Sequence, residues 1–207
     1  MNRWIATWTA LMCGVTPAAG QVTFRANAGY LDRRLADGAT VERQAGMIGG
    51  GALTFGANVV AITVSGLGGK LTAKVPSAED ADYARVTGDV TVALAEFLAA
   101  SAGLAASVYV TPLGAQRWIL PRLGLELRAP FRSIPATAYF AGAVLLSPKT
   151  NALSRARGGT DVRAGFATTP APVGIFVEYH LERLKFAAAI GREEQRGEIL
   201  AGFRVAP

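Results

Sequence analysis

The chain has 207 residues, of which 51% are hydrophobic, 24 are glycine and one is cysteine. Such a length fits one domain, and a single cysteine excludes a disulfide framework or a thiolate metal site. The net charge of +6 rests on 17 Arg and 4 Lys against 15 acidic residues, and the arginines are scattered one to a segment, which argues against a nucleic-acid surface.

Residues 1–20 read as an export signal, with Arg3, an apolar run Trp4–Val15 and the small residues Pro17-Ala18-Ala19-Gly20. The 12-residue run is too short to span a bilayer. A buried N-terminal helix is the competing reading. Cys13 lies inside the signal, and Met12 stands where a lipoprotein signal needs a small residue, so residues 21–207 are expected to be the mature, cysteine-free chain.

Period-two alternation then runs through the chain, the mark of strands with two unlike faces. The spacing predicts strand one at Val22–Leu31, with Val22, Phe24, Ala26, Ala28 and Tyr30 on one face and Thr23, Arg25, Asn27 and Gly29 on the other. Asp32–Arg43 reads as a charged loop. Strand two is expected at Gln44–Phe55 and strand three, after a tight turn at Gly56–Asn58, at Val59–Ser65. Gly66–Asp82 reads as a long polar connection. Strand four follows at Tyr83–Leu94 and strand five at Ser101–Thr111, although Ala93–Ala106 is also compatible with helix by propensity. Strand six, Arg117–Ala129, alternates Arg122, Gly124, Glu126 and Arg128 with Leu123, Leu125 and Leu127. Strand seven is Ala136–Ser147, Pro148–Gly159 is a charged loop, and strand eight is Thr160–Thr169. Pro170-Ala171-Pro172 turns the chain into strand nine, Val173–Leu184. Lys185–Arg196 is the last loop and Gly197–Ala206 is strand ten.

The expected turns after strands two, four, six and eight are short, and the connections after one, three, seven and nine are long and charged. Short turns at one rim and long loops at the other fit a membrane barrel. The fold class is therefore all-β: a transmembrane antiparallel up-and-down β-barrel of about ten strands, with eight or twelve left open. By this pattern the chain resembles small outer-membrane β-barrel proteins of Gram-negative bacteria. The resemblance covers the mature chain and implies outer-membrane location, a lipid environment and insertion by the outer-membrane assembly machinery. Members of that group often end in an aromatic residue; here the final strand carries Ile199, Ala201, Phe203 and Val205 on one face but ends Val205-Ala206-Pro207.

Alternation alone does not say which face is outside. A soluble lipocalin-like carrier of an apolar ligand would turn the apolar face inward and coat the outside with Lys and Glu. Here the polar face is mostly Gly, Ala, Thr and single charges, which suits a filled interior. On that reading Arg25, Arg85, Arg122, Arg128, Arg163 and Arg204 face Asp89, Glu126, Asp161, Glu178, Glu182 and Glu198 across the lumen, six against six. Buried charges must be paired, so these residues, with His180, are expected to form a cross-braced network that closes a barrel already narrow at ten strands. Glu126 is expected to be one of its cross-barrel members.

Glu178, His180 and Glu182 share a face at strand spacing, a candidate general base with carboxylate partners. That would make the chain an outer-membrane hydrolase. The plainer reading puts His180 inside the polar network, since it is the only histidine and no nucleophile accompanies it by sequence. Metal binding is not expected with one His and no mature Cys, and the acidic run Glu79-Asp80-Ala81-Asp82 lacks calcium-loop spacing. Gly66–Lys70 lacks the spacing of a phosphate loop. No cofactor is expected. The loop arginines Arg33, Arg34, Arg155 and Arg157 are candidates for lipopolysaccharide phosphates. The leading expectation is a monomeric, non-enzymatic barrel, structural or surface-interacting.

Overall fold

A computed structural model describes residues 21–57, 59–151, 156–168, 172–186 and 191–206. The export-signal reading and Arg155 lie outside these residues. Among them there is no helix, and so none long and apolar enough to cross a membrane. The strands are β1 (Gln21–Asp37), β2 (Thr40–Gly56), β3 (Val60–Ala73), β4 (Ala81–Ala95), β5 (Leu98–Thr111), β6 (Gly114–Pro130), β7 (Ala136–Leu145), β8 (Lys149–Thr150), β9 (Ala156–Thr168), β10 (Val173–Phe186) and β11 (Glu193–Val205). All pairs are antiparallel. Each long strand pairs with the next in sequence, β7 pairs with β9, and β1 closes the ring against β11. The result is a closed ten-stranded barrel. The two-residue β8 lies beside β6 at one rim.

The alternation fixes which face is out. Leu123, Leu125 and Leu127 point outward, and each is about half exposed. Val22 and Phe24, Ile62 and Val64, and Ile175 and Val177 join them. A belt this extensive of outward apolar side chains is far beyond the patches soluble proteins tolerate, and it removes the lipocalin-like reading. Pro121 sits inside β6 where the ladder changes partner: β7 pairs from Arg122 onward and β8 pairs with Trp118 and Ile119. A missing N–H costs little at such a gap.

Most of the expected loops at one rim are strand instead. Asp32–Arg43 is the end of β1, a two-residue turn at Gly38-Ala39 and the start of β2. Gly38 takes a left-handed φ of 60°, which glycine adopts without strain. Gly66–Ala73 belongs to β3, so the connection to β4 shrinks to residues 74–80. Pro148–Gly159 contains β8 and the start of β9, and Lys185–Arg196 is largely β10 and β11, leaving residues 187–192 between them. Ala93–Ala106 is strand, turn, strand, with the turn at Glu96-Phe97 rather than Phe97–Ala100.

The physical reason is an inversion of polarity along strands such as β1 and β10. In β1 the inward positions run Arg25, Asn27 and Gly29, and then Leu31, Arg33 and Leu35. Leu31 and Leu35 are buried, whereas Arg34 on the outer face is exposed. In β10 the inward Glu178, His180 and Glu182 give way to Leu184 and Phe186, while Arg183 faces out. At the end holding both barrel termini the outside is apolar and the lumen polar. At the opposite, hairpin end the lumen carries an apolar cluster and the outside carries charges such as Arg34, Arg43 and Arg183, while the β5–β6 hairpin keeps Val110 and Ile119 exposed. Strands of 17 residues, such as β1 and β2, run roughly 55 Å at about 3.3 Å per residue. An outer apolar band is only about 25 Å tall, so the hairpin end extends past it.

Candidate functional site

The lumen is filled in two tiers. In the hairpin half, Leu31, Leu71, Tyr83, Tyr109, Trp118 and Leu120 are each 3% exposed or less and pack into one cluster with Leu145, Leu184 and Phe186. Tyr83 and Tyr109 stack at 5.0 Å between centroids, and Trp118 meets Phe186 edge-on at 5.7 Å. Arg33 is threaded into this tier. Its Nε donates to Glu194 at 2.8 Å, Nη1 to Gln44 at 2.8 Å and Nη2 to Gln116 at 2.7 Å, and its guanidinium lies 4.0 Å from the Tyr109 ring centroid.

Beneath it lies a ring of charges from five strands. Arg122 of β6 donates Nε to Asp89 of β4 at 2.8 Å, bonds it again through Nη2, and donates Nη1 to Asp161 of β9 at 3.1 Å. His180 of β10 bridges Asp161 through Nε2 at 3.0 Å and Glu198 of β11 through Nδ1 at 3.2 Å. Glu182 accepts from Arg85 at 3.1 Å and Arg196 at 2.8 Å. Nε of Arg196 stands 2.9 Å from Glu198 Oε1, an ion pair without hydrogen-bond alignment. Gly103 makes one crossing available. It lies directly between Asp89 and Arg122 on the neighbouring strands, and a Cβ there would strike the Asp89 carboxylate.

Several of the thirteen expected lumen residues meet in this ring: Arg85, Asp89, Arg122, Asp161, His180, Glu182 and Glu198. Arg163 lies among Glu178, Asp161, Asp89 and Glu126. Glu178 accepts from the Tyr139 hydroxyl at 2.7 Å and stands 3.9 Å from Arg25. Three residues, Glu126, Arg128 and Arg204, are placed differently from the cross-braced picture. Glu126 pairs with Arg128 two residues along its own strand at 2.6 Å, and Arg204 donates to the carbonyl of Thr168 rather than to a carboxylate. Gln44 and the inward Tyr83, Tyr109 and Tyr139 lie within expected strands but carry no charge to mark them, while Arg33, Glu194 and Arg196 escape a sequence reading that ends the strands early. Their signal was present as parity: Arg33 continues the count from Arg25, and Arg196 sits two before Glu198.

Chemically the ring is a closed set. A histidine acting as general base needs a free nitrogen facing a substrate proton. Here both ring nitrogens are held by carboxylates, the arrangement that suits an imidazolium with two donors. Glu178 does not touch His180; it serves Tyr139. Asp161, His180 and Glu182 present ligand atoms within 4.8 Å of one another. The guanidiniums of Arg85, Arg122 and Arg196 already occupy those carboxylates, so a cation at that point would meet positive charge.

The barrel, its outward apolar belt and its filled lumen define the outer-membrane β-barrel class. Comparison with solved structures gives the same fold. The E. coli outer-membrane protease OmpT superposes with a TM-score of 0.57 at 12% identity, over 91% of this chain and 96% of that one. An outer-membrane channel from Pseudomonas putida F1 superposes with a TM-score of 0.50 at 10% identity, over 93% and 97%. One is a protease and the other a channel, so the shared fold carries no single activity. No protein-family model matches the chain. No curated protein matches it in sequence either.

Proposed function

We propose that the protein is a non-enzymatic outer-membrane barrel with a closed lumen, structural or surface-interacting in role. The observation that carries this reading is the double closure of the interior. The aromatic and leucine tier and the charge ring lie one above the other, and Asp161, Glu182, Arg196 and Glu198 are each 3% exposed or less. Among the described residues, both tiers are lined by side chains that are themselves largely buried, which favours a lumen closed to solutes. A hydrolytic role finds no support at His180, whose two nitrogens are both committed.

The chain works as a monomer, is inserted by the outer-membrane assembly machinery, and turns its hairpin end away from the periplasm, because the longer connections, residues 74–80 and 187–192, lie at that end and longer loops face outward in such barrels. Arg34 and Arg157, exposed on the outer wall of that end, are placed to meet lipopolysaccharide phosphates. Arg33 is not, being buried in the lumen. The test is planar-bilayer recording on the purified barrel together with the His180→Asn variant. Little or no steady conductance is expected, and no peptidase or esterase activity that His180→Asn removes. A large stable pore, or a hydrolysis lost with His180, would replace this reading.

A further inference from the structure

At the terminal end, below the charge ring, the lumen holds a cavity of about 380 Å³. This is within the range of small-molecule sites, roughly 300–1,000 Å³. Six threonine and serine side chains line it, Thr23 and Thr63 among them, with four guanidiniums and three carboxylates. The charges do not balance locally. Glu126 is taken by Arg128, and Asp89 is taken by Arg122 from the ring above. Glu178 is shared between Arg163 and Arg25, the latter at 3.9 Å, and it already accepts from Tyr139.

Two arginines are set against each other. Arg25 of β1 and Arg204 of β11 are directly opposed in the closing strand pair, a placement that repels. Arg25 is held over the Phe176 ring at 4.0 Å, and its Nε is buried without a hydrogen-bond partner. Arg204 donates Nε and Nη2 to the Thr168 carbonyl at 3.0 and 2.5 Å, and among the described residues no carboxylate lies within ion-pair distance of it. Arg25 and Arg204 thus face a hydroxyl-lined space whose three carboxylates are already engaged.

We propose that this cavity is a binding site for a small phosphate-type oxyanion, free phosphate or a phosphate monoester, seated between Arg25 and Arg204. A tetrahedral anion accepts from both forks at once, and the anion converts the repulsion across the strand pair into two attractions. The threonine hydroxyls supply donors for its remaining oxygens. The site uses the closed lumen only in that the cavity is blind; binding is read in micelles and conductance in bilayers, so either reading can fail alone.

The test uses the full barrel refolded in phosphate-free detergent micelles. Inorganic phosphate, methyl phosphate and acetate are titrated separately by calorimetry, with the arginine Nε–H signals followed by ¹⁵N NMR. Saturable binding of phosphate or methyl phosphate is expected, with shifts at Arg25 and Arg204; binding of both equally, or of methyl phosphate more tightly, supports a monoester ligand. Arg25→Gln and Arg204→Gln are each expected to weaken binding at least tenfold. Arg43→Gln, on the outer wall beside Asp32, binds as the parent does. No saturable binding, binding of acetate alone, or affinity unchanged in both Gln variants overturns the proposal. Where a Gln variant fails to fold, the parent decides: shifts confined to arginines other than Arg25 and Arg204 overturn it.

Discussion

At the scale of single residues, the lumen separates charges that hold the barrel from charges that decorate it. Glu182 is 3% exposed and receives two guanidiniums. Removing it strands both Arg85 and Arg196, and losing one partner of a buried set costs about 3–5 kcal/mol. Glu182→Ala is therefore expected to lower unfolding stability by that order in urea titrations of the micelle-bound barrel. Glu126 stands in a pair whose Arg128 side chain is 47% exposed. Such pairs are worth about 0–1 kcal/mol, so Glu126→Ala is expected to leave the titration nearly unmoved. Equal effects of the two substitutions would show that burial does not set the value of these pairs. Gly103 adds a steric case. Gly103→Val puts a side chain where Asp89 reaches across to Arg122, and it is expected to destabilise as much as Arg122→Ala does. A Gly103→Val barrel as stable as the parent would mean the pair can cross another way.

At the scale of strands, the same parity has opposite meanings at the two ends. Leu125 faces lipid near the middle of the β6 outer face, opposed by Ala100 and Gly142. Leu125→Arg is expected to cost roughly 2–4 kcal/mol and to reduce insertion into vesicles. The outward Arg183, half exposed at the hairpin end of β10, lies past the belt, and Arg183→Leu is expected to insert like the parent. If the two substitutions impair insertion alike, the belt extends further than its side chains indicate. The inversion also explains what could be read in the sequence. Where Leu123, Leu125 and Leu127 alternate with Arg122, Gly124 and Glu126, the strand, its inner face and its ring residues were legible at once. Past Leu31 the apolar residues change sides. A search for apolar-out alternation then stops at Asp32, although the backbone continues to Asp37. The pairing of particular charges was not legible at all. His180 meets Glu198 directly across β10–β11, but it reaches Asp161 and not its own neighbours Glu178 and Glu182. Which of several inward carboxylates an arginine meets depends on strand stagger and barrel curvature, and neither is written in a period of two.

At the scale of the whole molecule, the ten strands close on themselves and leave no edge to pair with another chain, which agrees with a single-chain unit in the membrane. The protein is expected to fractionate with the outer membrane and to require detergent for monodisperse behaviour, as checked by density-gradient separation and size-exclusion chromatography. A monodisperse protein in plain buffer would contradict the belt. The two-tier interior has a consequence for mutational tolerance. In the terminal half a new polar group is tolerated at odd positions of β1 and harmful at even ones. In the hairpin half the buried Leu31 and Leu35 are odd and the exposed Arg34 is even. A saturation library scored for assembled barrel should therefore show its two-residue rhythm slip by half a period within strands such as β1 and β10. The height of that slip, strand by strand, would trace the outer boundary of the bilayer from genetics alone.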